Sequence, residues 1–173
     1  CLLCPRRTRR QGSVRLDATV RGLGSEGMRM LDNSKPIHLQ ASVIIPGAAQ
    51  GEALVTTSPL SFWGGICAET GEIIDRRHEK SGEIVTGKIF AFPNGRGSST
   101  SSAILLECIR AGTAPAAIIN SLVDSAMALG SIVADELYGK SVPVLVLSEE
   151  DFAGLHDGDS VQIHPDGRMV VSR

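Results

Sequence analysis

Aromatic side chains are scarce in this chain of 173 residues, at 3 % of the total. A core must therefore come from Val, Ile, Leu and Ala, as is usual in α/β proteins. Long apolar runs are lacking too. No stretch approaches the ~18–20 residues of a membrane span, which points to a soluble, cytoplasmic protein without a membrane partner. The net charge of −2 leaves no basic excess for nucleic acid. Cysteine is limited to four residues. Cys1 and Cys4 form a lone Cys-x-x-Cys, which without a second pair is weak support for a metal. Cys67 and Cys108 stand far apart in apolar surroundings and read as buried thiols. No metal site is expected in this chain. Hydrophobic residues at 42 % and charged residues at 21 % still promise a packed globular core.

The small net charge hides an asymmetry. Residues 1–30 carry seven Arg against Asp17 and Glu26, whereas the remainder is acidic. That first stretch also lacks hydrophobic periodicity. It reads either as an Arg-rich targeting peptide or, preferably, as a linker or extension outside the folded unit. Residues 1–36 are therefore expected to be a basic N-terminal extension, and 37–173 the domain.

From Ile37 the pattern becomes regular. Ile37, Leu39, Ala41, Val43 and Ile45 alternate with polar residues as in a strand, closed by Pro46-Gly47. Residues 52–56 and 84–92 read as further strands. Between them lies a Gly-, Ser- and Pro-rich loop, 58–72, with Phe62 and Trp63 at its centre. Helices are predicted over 101–111, with Gly112 beyond its end, and over 124–138, with Gly139 beyond. Short apolar strands are predicted at 114–119 and 142–147, and a short helix at 149–155. Asp157-Gly158 and Asp166-Gly167 punctuate a terminal hairpin. Strand-rich first, then β-α-β-α-β, then a hairpin: the order suggests an α/β domain of three layers, β/β/α.

Chemistry concentrates in residues 93–102, Pro-Asn-Gly-Arg-Gly-Ser-Ser-Thr-Ser-Ser, between a strand and a helix. Glycines permit a sharp turn and close approach to a ligand. A helix start favours negative charge. Hydroxyls and the Arg96 guanidinium converge on it, which describes an anion or carboxylate site holding a candidate nucleophile or base. A plain loop with a serine or threonine N-cap explains the same hydroxyls. It is not a P-loop, because no Gly-Lys-Ser/Thr ending is present.

Gly95-Arg96-Gly97-Ser98-Ser99-Thr100 resembles the small-domain serine loop of the aconitase superfamily. With Pro59 to Gly65, with Gly71-Glu72-Ile73-Ile74-Asp75 and His78, and with Ala114 to Ile119, the order of motifs over residues 37–150 is similar to the small subunit, or swivel domain, of aconitase X. The resemblance implies a swivelling β/β/α domain and a hydro-lyase that dehydrates a small hydroxy acid. The family's known substrates are cis-3-hydroxy-L-proline, preferred here, and mevalonate 5-phosphate. It further implies a large subunit or domain carrying an iron–sulphur cluster whose iron withdraws the leaving hydroxyl, with none bound by this chain alone. By motif position the proton-transfer serine is Ser98, the catalytic candidate. Arg96, Gly97, Ser99 and Trp63 are candidate substrate-binding residues. Aconitase proper has an arginine after its two serines; Thr100 stands there instead, so Arg96 is a substitute candidate for holding carboxylate and not an equivalent.

Asp75 and His78 admit two readings: a pair contacting or supporting the substrate site, or a turn stabilised by Asp75 with an exposed histidine. Phe62 and Trp63 either wall the site and meet the large partner or form a small core under a loop. Two other functions compete with the dehydratase. A non-catalytic partner subunit would share the fold. A swivelling phosphocarrier would need a histidine at the glycine-rich turn, where serines stand.

Overall fold

The computed structural model describes residues 35–97 and 99–173. Strands β1 (Ile37–Gln40), β2 (Ser42–Ile45) and β3 (Ala49–Val55) lead into a helical turn, α1 (Phe62–Gly65), and a small hairpin, β4 (Ile66–Cys67) and β5 (Glu72–Ile73). Then come β6 (Ile89–Ala91), α2 (Ser101–Ala111), β7 (Ala117–Asn120), α3 (Ser125–Tyr138) and β8 (Val144–Val146). The chain ends with α4 (Glu149–Ala153), β9 (Ser160–Ile163) and β10 (Arg168–Ser172). Residues 1–34 lie outside the described part, and so does the proposed character of that segment.

Eight strands join in the order β1-β10-β9-β3-β6-β7-β8-β2. The strand at each end of this order, β1 and β2, are neighbours in sequence, so the sheet folds back on itself. β3 belongs to both halves. Its first part, Ala49–Glu52, pairs antiparallel with β9, and its second, Ala53–Val55, runs parallel with β6. The two half-sheets enclose one core, built from Ile89, Ala91, Ile119, Leu145, Val161, Ile163, Met169 and Val171 among others. Strand alternation sends the other side chains to the helical layer: Phe90, Phe92 and Ile118 pack with Leu105, Cys108, Met127 and Ala134. The outcome is the expected three layers, β/β/α. Phe90 and Phe92, with ring centroids 4.9 Å apart, supply much of the bulk in an aromatic-poor core.

Local differences from the sequence reading have identifiable causes. The alternating run 37–45 is two strands. Ala41 is buried at the corner and donates its N–H to Gly167 O at 2.9 Å, while β1 pairs with β10 and β2 crosses to β8. Periodicity survives the corner because Leu39, Ala41 and Val43 face the same core, and only after a register shift in β2 does Ile45 turn to the helical layer. The strand expected over 84–92 shrinks to 89–91, because a turn closed by Lys88 N–H to Val85 O precedes it. The glycine-rich segment 58–72 contains α1 and β4, which no periodic signal announced. Helix α2 occupies the expected residues, and α3 starts one residue later than expected, with Asp124 as its cap. Among the described residues no helix is long and apolar enough to cross a membrane.

Candidate active site

β3, β6 and β7 run parallel, so the segments that follow them leave from one edge of the sheet. Ligands in open α/β sheets gather at that carboxyl edge. Three segments meet there: 56–61 after β3, 92–100 after β6, and 121–124 after β7. The first two are stitched together, because Leu60 and Gly95 form a parallel bridge and Arg96 N–H donates to Leu60 O at 3.1 Å.

A cleft of about 680 Å³ opens between the serine loop and α3. One wall holds Gly95, Arg96, Gly97, Ser99 and Ser101, and the facing wall includes Val123, Asp124, Leu129 and Ile132. The structure thus brings Arg96, Gly97 and Ser99 together on one cavity. Ser98 lies outside the described residues, between Gly97 and Ser99. Gly97 has φ of +100°, a conformation that side-chain-bearing residues rarely adopt. Arg96 is mostly exposed, and its Nη2 lies 3.4 Å from Asp75 Oδ2. Asp75 also accepts the Arg77 N–H through Oδ1 at 3.0 Å. The aspartate therefore stabilises its own turn and tethers the guanidinium, loosely, at the mouth of the cleft.

His78 is 7 % exposed, which excludes the reading in which the histidine is exposed. Its Nδ1 accepts the Lys80 N–H at 3.2 Å, so the proton of the neutral ring sits on Nε2, 3.4 Å from Ser58 O. That tautomer follows because a backbone amide only donates and a carbonyl only accepts. The ring is occupied in holding the 56–58 segment and does not reach the cleft wall. Glu79 holds the same segment. Its carboxylate accepts from the Thr56 and Thr57 hydroxyls and from the Thr57 and Ser58 N–H groups, at 2.7 and 3.0 Å for the two amides. These bonds, the Thr56 hydroxyl foremost, hold its pKa at about 2. A carboxyl depressed on folding stabilises above its unfolded value of about 4.5, and that stabilisation is lost as pH falls towards 2. Glu79→Gln is expected to lower the melting temperature by a few degrees at pH 7 and by progressively less from pH 4.5 to 2. Thermal melts across that range check it; a constant difference between the two proteins would mean that the charge is irrelevant.

The aromatic pair divides. Phe62 is fully buried against Phe90 and Phe92, at centroid distances of 6.4 and 6.2 Å. Trp63 is 53 % exposed, and its N–H donates to Ser101 Oγ at 3.3 Å. Trp63 therefore stands at the start of α2, beside the serine loop and outside the cleft walls. Ser101 was missed by sequence reasoning. It is 6 % exposed and its hydroxyl also lies 3.4 Å from Ser61 Oγ, joining α1 to α2. Of the candidate caps, Thr100 occupies the N-cap position in helical conformation, and its side chain makes no cap bond to the helix.

Asp124 was read only as the beginning of a helix. It caps α3 through Oδ1, which accepts from Ala126 and Met127 N–H at 3.0 and 3.3 Å. Its Oδ2 is buried without a hydrogen-bond partner among the described residues and presses on the serine loop. A Cβ added at Gly95 would overlap that oxygen and lie 3.0 Å from Asp124 Cγ. The sequence signal was available in principle, as a polar cap just after a buried strand on the same sheet edge as the serine loop.

The described residues do not fit an iron–sulphur cluster. No group of three or more His, Cys, Asp or Glu among them could hold a metal ion. Burial pushes the Cys108 thiol up to about 11, far from the thiolate that such a cluster requires.

Comparison with known proteins agrees with this architecture. Residues 38–172 match the family model of the aconitase X swivel domain. A cis-3-hydroxy-L-proline dehydratase of Pseudomonas aeruginosa is 44 % identical over 75 % of this chain, which spans 22 % of that protein. The chain spans 20 % of a second such dehydratase, from Hypocrea jecorina, at 40 % identity. A phosphomevalonate dehydratase small subunit of Methanosarcina acetivorans is 33 % identical over 75 % of this chain and 86 % of its own length. The crystal structure of Thermococcus kodakaraensis aconitase X in its holo-form superposes with a TM-score of 0.71 at 30 % identity, covering 79 % of this chain and 99 % of that one. With its two-layered strands, its helical cover and its serine loop at the carboxyl edge, the chain belongs to the aconitase X swivel-domain family.

Proposed function

We propose that this chain is the swivel component of a hydro-lyase that dehydrates cis-3-hydroxy-L-proline, working with a larger aconitase X component. The observation that carries the reading is the serine-loop cleft: a guanidinium, a left-handed glycine and the start of α2 gathered on one cavity, in a chain 44 % identical to a dehydratase of that substrate. The iron–sulphur cluster is assigned to the large component, since the residues described here do not fit one.

In this reading Arg96 leaves its loose contact with Asp75 and takes the substrate carboxylate. Ser98 accepts the proton from the carbon next to that carboxylate. The electrons of that C–H bond form a C=C bond as the C–O bond of the neighbouring carbon breaks. The hydroxyl leaves as hydroxide, takes up the proton that Ser98 had accepted to become water, and the serine returns to its starting state. A serine hydroxyl is a weak base in water, and it becomes competent when its alkoxide is stabilised. The N-terminus of α2 and Arg96 would supply that stabilisation. A domain that closes over the substrate also excludes water, which strengthens both interactions.

A second reading keeps the fold and exchanges the substrate for mevalonate 5-phosphate. It is favoured by the match to archaeal small subunits along nearly their whole length. Assembly of the chain with its cognate large component, followed by turnover assays on both substrates, separates the two. Dehydration of cis-3-hydroxy-L-proline is expected, with no turnover by the swivel component alone. Turnover of only mevalonate 5-phosphate would install the second reading, and assembly without turnover of either would leave a non-catalytic partner subunit.

A further inference from the structure

Helix α3 carries bulky apolar side chains on its outer side, between exposed Ser125 and Glu136, as well as on its inner side. Met127, Gly130, Ser131 and Ala134 point into the domain and are buried. At 100° per residue, Leu129 and Ile132 fall on the opposite side, where a surface helix carries charge. They are 51 % and 49 % exposed. The loop entering the helix continues the patch, with Leu122 55 % and Val123 67 % exposed. Of nine large hydrophobic residues exposed in the described part, six lie between 122 and 138. Scattered exposed hydrophobics need no explanation, whereas a contiguous cluster marks an interaction surface.

Its position narrows the occupant. Val123, Leu129 and Ile132 line the same cleft as Arg96, Gly97 and Ser99. Whatever covers them also closes the candidate active site. The single-chain relatives devote only 20–22 % of their length to the part this chain matches, so a much larger body accompanies the swivel unit in those proteins. The opposite surface, by contrast, is ordinary: β9 alternates buried Val161 and Ile163 with exposed Ser160 and Gln162.

We infer that the outer face of α3, centred on Leu129 and Ile132 with Leu122 and Val123 at its rim, is the surface on which the large, cluster-bearing component seats, so that docking and closure of the cleft are one event. This rests on the proposed function for the identity of the partner. It also explains why α3 keeps large exposed apolar side chains on its outer side: the inner side packs the core, and Leu129 and Ile132 are buried only in the complex.

The test compares the full chain with Leu129→Asp/Ile132→Asp and with the milder Leu129→Ser/Ile132→Ser, using Ile37→Asp on edge strand β1 as a control for adding charge elsewhere. Binding to the cognate large component is measured by calorimetry, oligomeric state by light scattering, and folding by thermal melts. The aspartate pair is expected to weaken assembly about 100-fold or more, the serine pair less, and Ile37→Asp hardly at all, with melting temperatures little changed. Undiminished assembly by the folded aspartate pair overturns the inference while leaving the proposed function intact. Loss of assembly in a complex that has no dehydratase activity supports the surface and removes the function. A wild-type homodimer that the aspartate pair dissolves gives the face to a second copy instead. A melting temperature that drops in the aspartate pair and on removal of residues 1–34 alike gives it to that segment. Failure of the wild type to bind the large component overturns both proposals.

Discussion

Replacing Ser98 by alanine is expected to lower turnover of the assembled enzyme by about 100-fold or more, the usual scale for a group that moves a proton in the rate-limiting step. The fold should barely notice. Helix α2 is anchored by what it buries, Ser101, Leu105, Cys108 and Ile109, and the change is bounded by the ~0.5–2 kcal/mol of a lost cap. Ser99→Ala is the matched comparison. Ser99 contributes its carbonyl, which accepts from Ser102 N–H at 3.2 Å and Ser102 Oγ at 2.7 Å. Those bonds do not need its side chain, so Ser99→Ala should cost far less. Turnover at saturating substrate, with cluster content verified, decides. If Ser99→Ala is the inactive protein, the motif is displaced by one residue. If both variants remain active, the serine mechanism fails and a partner-subunit role replaces it.

How much of this was legible beforehand differs by element. Helices α2 and α3 were readable because each ends at a glycine in left-handed conformation, Gly112 and Gly139, and carries a continuous core face. β9 and β10 were readable from alternation after each of two Asp-Gly signals. The division of β1 from β2 was not, since a corner at Ala41 leaves the alternation intact and is dictated by which distant strand each half meets. The aromatic pair shows the same limit. Adjacent residues in a glycine-rich loop take opposite fates, Phe62 in the core and Trp63 in solvent, because α1 turns there and no periodic pattern governs a single turn. In the site, Arg96, Gly97 and Ser99 were found because they share ten residues of sequence. Asp124 and Ser101 were missed for opposite reasons: Asp124 arrives from the next crossover, after β7, and Ser101 was hidden among four other hydroxyl residues.

Gly95→Ala tests whether the crossing of those two loops matters. The added methyl has no room, because it meets Asp124 Oδ2, and that carboxylate cannot swing away without abandoning the Ala126 and Met127 N–H groups that it caps. Either the serine loop shifts or the cap breaks. A displacement of an ångström at the start of α2 moves Arg96 and the adjoining serines off the substrate, and positioning errors of that size are costly in catalysis. Turnover of the assembled enzyme is therefore expected to fall at least ~10-fold, with stability reduced by no more than about 1 kcal/mol, the scale of a broken cap. Asp124→Ser supplies the decisive partner change. Serine is a good N-cap and can still accept from the first turn of α3, while its shorter side chain vacates the space beside Gly95. If the clash is the cause, Gly95→Ala/Asp124→Ser should be more active than Gly95→Ala alone, a coupling between two sites that a double-mutant cycle reads directly. Simple additivity of the two losses would show that Gly95 is needed for something other than room for Asp124, and the carboxylate would then lose its place in the account of how the serine loop is held.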